Sequence, residues 1–187
     1  MWTTRSRPSA RRARHEDATT SPGAPSLLEE RNLAIATPTL HHVGITVGSL
    51  ERSLAFYRDM FGLEPLFEVT AEGPELSAAV GVPGARLRFA FIRIGAAEVE
   101  LLEYDNDRDA SFTRRNCDVG APHLCLHVAD IAHSYQELRA KGVSFYAPPL
   151  LIESGPLAGC RFAYLRDPDG ITLELFETPS TTESTDG

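Results

Sequence analysis

Between Thr39 and Thr178 the chain reads as a strand, a helix and several strands, and then reads the same way again. Nothing else in the sequence restricts the fold so strongly, because a duplicated unit of this size has to bury an apolar face in each copy by the same means. In the first copy Val43, Ile45 and Val47 alternate with His42, Gly44 and Thr46, which predicts a half-buried strand over 41–47. Ser49 can cap a helix that carries Leu50, Leu54, Tyr57 and Phe61 at helical spacing and stops at Gly62. Strands are expected near 64–70, 86–94 and 97–104. In the second copy Leu124, Leu126 and Val128 form the apolar side of a strand over 123–128. Asp130 can cap a helix reaching Lys141, with Ile131, Tyr135 and Leu138 on one side and Gly142 as its stop. Strands are expected near 143–146, 160–166 and 171–177, the last two joined by Arg166-Asp167-Pro168-Asp169-Gly170, a tight-turn sequence.

The expected class is therefore α+β, with two tandem βαβββ modules. Residues 1–37 form an Arg-, Pro- and Ser-rich leader without periodicity, expected to be disordered. The first module is placed at 38–104, a polar linker at 105–120, the second module at 121–178, and a flexible tail at 179–187. The segment from Pro148 to Gly159 reads either as a lid or as a long hairpin connection. Arg114 and Arg115, in the linker, could meet an anionic substrate.

Charge and composition narrow the function. The net charge is -8, and the leader's six Arg against Glu16, Asp17, Glu29 and Glu30 leave -10 on the remainder. So acidic a body repels phosphate backbones, which argues against a nucleic-acid partner. No run of about 18 apolar residues exists to span a bilayer, so no membrane partner is expected. The Arg-rich start lacks the apolar stretch of a secretory signal, and a cytoplasmic location is expected. Cys117, Cys125 and Cys160 are odd in number and lack CxxC spacing, which fits reduced thiols better than a disulfide or a cysteine metal site.

Strand parity assigns side chains to faces. It puts His42, Glu100, His123 and Glu174 on the face opposite the helices, together with Cys125, His127, Thr172 and Phe176. Each module thus offers a histidine at the start of its first strand and a glutamate on its last. Two imidazoles and two carboxylates suit a divalent ion such as Zn, Ni, Co, Fe or Mn. Cys125 is expected to pack and His127 to line a wall, while His41 faces the other way as a cap or surface residue. Glu177 falls at a strand end where it can reach water.

The stretches "HVGITV", "SLAFYRDMFGLE" and "VELLE" resemble the first module of the vicinal oxygen chelate superfamily, and "PHLCLHV" with "DPDGITLELFE" resembles the second. That resemblance implies an open cup-shaped mixed sheet with helices on its outer face, around one metal held by His42, Glu100, His123 and Glu174. It also implies a small-molecule substrate and a homodimer, in some members with each site built from two chains. The activity implied is proton transfer alpha to a carbonyl, as in an isomerase, an epimerase or a glyoxalase-type lyase, with Glu174 or Glu100 as the catalytic base. Two other activities are compatible with the resemblance: an extradiol-type dioxygenase using ferrous iron, and a non-catalytic small-molecule binding or resistance protein.

Overall fold

The computed structural model describes residues 39–106 and 114–179. The leader and most of the tail lie outside the described residues, as do Asp107, Arg108 and Asp109 of the linker. His41–Gly187 forms one compact unit. Among the described residues no helix is long and apolar enough to cross a membrane.

The first half runs β1 (Val43–Thr46), α1 (Leu50–Phe61), β2 (Pro65–Glu72), α2 (Pro74–Val80), β3 (Arg86–Ile94) and β4 (Ala97–Tyr104). The second runs β5 (His123–His127), α3 (Ile131–Ala140), β6 (Leu150–Leu151), β7 (Arg161–Arg166) and β8 (Thr172–Glu177). Two four-stranded mixed sheets result, with orders β1-β4-β3-β2 and β5-β8-β7-β6. In each sheet the first strand lies parallel to the last, and the other pairs are antiparallel. The α+β class and the duplicated module are thus as the pattern predicts.

Local chemistry explains the element ends. Ser49 Oγ accepts from Arg52 N at the start of α1, and Gly62 takes the left-handed conformation (φ 68°) that closes it. Asp130 accepts from His133 N at the start of α3. The helix α2 lies between the expected strands. Pro74 at its first turn and left-handed Gly81 at its end are the signals that mark it.

Two expectations are corrected. The strand expected at 143–146 contributes only a bridge between Phe145 and Leu165. Pro148 and Pro149 interrupt any longer ladder, since proline lacks the N–H that pairing needs, and pairing resumes as β6. Val43 is exposed, whereas Ile45 and Val47 are buried. The segment after β6 is a hairpin connection, with Ile152 N donating to Cys160 O and Gly159 N to Ile152 O.

The core joins both halves: Leu50, Leu54, Tyr57, Ile92 and Leu101 belong to the same apolar cluster as Ile131, Leu138, Leu165, Leu173 and Leu175. Within it the turn between β7 and β8 makes a polar lock. Asp169, only 6% exposed, accepts from Gly48 N, Arg52 Nη2 and Ser53 Oγ of the first half. Asp167 accepts from Asp169 N, Ile171 N and Tyr57 OH. Burial pushes the Tyr57 hydroxyl up, and the neighbouring Asp167 pushes it further. Asp167 is likewise raised by burial, against the pull of its backbone donors.

Candidate functional site

The four sequence-predicted site residues occupy equivalent places in the two modules. Gly44 pairs with Glu100 across β1 and β4, and Cys125 pairs with Glu174 across β5 and β8. On the other flank Phe91 pairs with Glu100, and Tyr164 with Glu174. A histidine two residues before Gly44 or Cys125 lies on the same face, because side chains alternate along a strand. It therefore reaches the carboxylate diagonally across the ladder.

The structure brings these residues together in pairs. His42 Nε2 lies 3.2 Å from Glu100 Oε2, and His123 Nε2 lies 3.1 Å from Glu174 Oε2. In both pairs the histidine is the more exposed partner and the glutamate the more buried one. Among the described residues, no group of three or more His, Cys, Asp or Glu side chains is placed to hold a metal ion. Each pair sets an imidazole nitrogen beside a carboxylate oxygen, the donor types that intermediate divalent ions take. The donor chemistry of each pair fits such an ion.

The surroundings of the two pairs differ. His42 packs edge-on against Phe91, which also contacts Phe67 and Phe89. His123 instead packs edge-on against Tyr164. At the glycine position of the first module, a Cβ would meet Leu102 at 3.3 Å and Glu100 Oε2 at 3.5 Å, so Gly44 keeps the space beside Glu100 open. At the matching place Cys125 sets a thiol against Glu174. Burial, then the Glu174 charge and hydrogen bond, push that thiol up to about 11. Burial and Glu174 also raise Tyr164.

Other expected residues fall into place around these pairs. Phe176 is half-buried and Thr172 buried. Asn116 Oδ1 accepts from Thr172 Oγ1 at 2.6 Å and from Tyr146 OH at 3.5 Å, and sequence reading did not single it out. His127 Nε2 lies 3.0 Å from Thr178 Oγ1. Arg115 is bound to Asp118, and Arg114 donates to Val119 O, so both guanidiniums are engaged within their own loop. Glu177 accepts from Ile131 N and Arg161 rather than ending in water. His41, expected to face the other way as a cap or surface residue, is exposed and has its Nδ1 2.8 Å from His42 Nδ1.

Residues 39–175 match the profile of the glyoxalase/bleomycin resistance protein/dioxygenase superfamily. The chain is 34% identical to a 2-epi-5-epi-valiolone epimerase of an Actinomyces species, over 75% of this chain and 80% of that one. It is 28% identical to human mitochondrial methylmalonyl-CoA epimerase, over 73% and 72% respectively. A glyoxalase-family crystal structure from Bacillus cereus shares the fold with a TM-score of 0.62 at 22% identity, covering 78% of this chain and 99% of the other.

Proposed function

The chain belongs to the glyoxalase/bleomycin resistance protein/dioxygenase superfamily, and on that premise we propose that it is a metal-dependent enzyme that moves a proton alpha to a carbonyl. Relatives named as epimerases and lactoylglutathione lyases support an isomerase- or lyase-type activity. Within that class the two epimerase names favour epimerisation of a small, oxygen-bearing substrate. The observation that carries the reading is the recurrence of one His-Glu pair at one ladder position in both modules.

His42, Glu100, His123 and Glu174 would together hold one divalent ion. When bound, such an ion polarises a substrate carbonyl and lowers the cost of taking the adjacent proton. The remaining work falls to the chain. Epimerisation requires a proton to leave one face of a carbon and return on the other. Glu174 and Glu100, on different modules, supply carboxylates for the two faces, one accepting and one donating. The aromatic wall of Phe67, Phe89 and Phe91 excludes water from one side of the reacting carbon.

The pairing of the donors two and two within the chain supports a full set assembled in a homodimer, module one of one copy against module two of another. Exposed Leu66, Phe67 and Val69 on β2 and Leu150 and Leu151 on β6 provide apolar area for that contact. Free Cys117, Cys125 and Cys160 support a reducing compartment such as the cytoplasm.

The test is metal content by mass spectrometry of wild type, His42→Ala and His123→Ala, alone and co-expressed. About one ion per chain in wild type, lost in both variants, supports the site. Mixed dimers of the two variants contain one intact site and one doubly altered site. Recovery of tight metal binding on co-expression supports sharing across the dimer, and no recovery sinks it. Wild type that takes up no metal after reconstitution leaves a small-molecule binding protein as the better account.

A further inference from the structure

The residue before the first ligand histidine is also a histidine, and the two rings touch. His41 Nδ1 lies 2.8 Å from His42 Nδ1, and the rings meet edge-on with centroids 5.1 Å apart at 85°. Both lie against Phe91, at 6.5 and 5.1 Å. Two imidazole nitrogens at that separation share a single proton, one donating and the other accepting through its lone pair.

The other nitrogen of His42, Nε2, faces Glu100. If that nitrogen presents its lone pair to a cation, the ring's proton has to sit on Nδ1. The Nδ1–H of His42 then donates to Nδ1 of His41, whose own proton sits on Nε2. We infer that His41 is a positioning residue for the metal: it accepts the Nδ1–H of His42, holds that ring in the tautomer that frees Nε2, and fixes its orientation over Glu100. The role rests on the metal reading proposed above. In the second module the matching place is Pro122, whose ring nitrogen is a tertiary amide that neither donates nor accepts a hydrogen bond, so the device belongs to one half-site only.

The full-length chain is titrated with zinc against a chromophoric chelator, as wild type and as His41→Ala, His41→Asn and His41→Gln. Histidine nitrogen shifts are recorded by NMR on the zinc-loaded wild type. Loss of an outer hydrogen bond to a ligand histidine weakens metal binding by about 10- to 100-fold, and His41→Ala is expected to fall in that range. An amide oxygen can accept the same proton, so at least one of His41→Asn and His41→Gln is expected to recover most of the affinity. The NMR spectrum is expected to show His42 protonated at Nδ1.

Thermal unfolding of the metal-free variants separates positioning from folding, since each is expected to melt with wild type. Zinc affinity of His41→Ala within twofold of wild type overturns the inference. So does equal weakening in all three variants, which points to packing against Phe91 instead. Wild type that binds no zinc sinks the metal reading and this role with it, whereas zinc binding that ignores His41 sinks this role alone.

Discussion

Glu103 and Glu177 hold the same post in the two modules. Each stands three residues after a candidate ligand, and each turns a carboxylate oxygen to the first N–H of its module's helix, Leu50 N and Ile131 N, both at 2.7 Å. A carboxylate there satisfies an orphan donor and faces the positive end of the helix dipole.

Glu103→Ala and Glu177→Ala are each expected to destabilise the fold by about 1 kcal/mol, the usual scale of a lost cap. The two sites lie in different modules, so the double variant is expected to lose the sum. Urea unfolding of the three proteins checks this, and a single variant indistinguishable from wild type would contradict the capping role.

The lock at Asp169 carries more. Asp169→Ala removes the acceptor of Gly48 N, Ser53 Oγ and the Arg52 guanidinium at a buried position, and is expected to cost about 3 kcal/mol. Arg52→Ala removes a half-exposed partner and is expected to cost about 1 kcal/mol or less. Equal losses in the two variants would show that the lock is not organised around the carboxylate.

Asp167 gives a dependence on pH. Its folded pKa is raised, chiefly by burial, above an unfolded value of about 3.9, so the fold favours the protonated form. That contribution is fully present below the unfolded value and is lost as pH rises through the folded one. Asp167→Asn keeps an oxygen for Asp169 N and Ile171 N but has no proton to lose. Its stability relative to wild type is expected to improve from pH 4 to pH 7, as read by denaturant unfolding at both. A constant difference would refute the shift.

Cys125 should be slow to react although it is exposed. With its pKa pushed up to about 11, little thiolate exists near neutrality. Iodoacetamide is expected to label it at least ~10-fold more slowly than an unperturbed thiol at pH 8, the low thiolate fraction outweighing its greater nucleophilicity. Glu174→Gln should speed the labelling, because it removes the neighbouring charge. Peptide mapping over time measures both rates, and fast labelling of wild type would rule the assignment out.

Much of this was legible in the sequence because it follows a period. Alternation along a strand is enough to put His42 with Glu100 and His123 with Glu174 on one face, and the structure pairs them so. The outward turn of Val43 was not legible, because alternation says which way a side chain points and not whether anything covers it. Nor was the burial of Asp167 and Asp169. Asp-Pro-Asp-Gly is consistent with a solvated turn, and the donors that bury it come from residues more than a hundred positions earlier. The helix at Pro74–Val80 was hidden by its length, since seven residues are too few for a clear apolar period. The Glu103 and Glu177 caps were available in principle, because the spacing from Glu100 and Glu174 repeats, but strand parity alone gave no reason to look beyond the face.

The turn between β7 and β8 has no acidic counterpart between β3 and β4, where the chain reads Ile94-Gly95-Ala96. Two halves that otherwise repeat are thereby made non-interchangeable. The second half carries a plug and the first half the socket for it, so neither copy can stand in for the other: two first halves would leave the socket at Gly48, Arg52 and Ser53 empty, and two second halves would leave Asp169 without those donors.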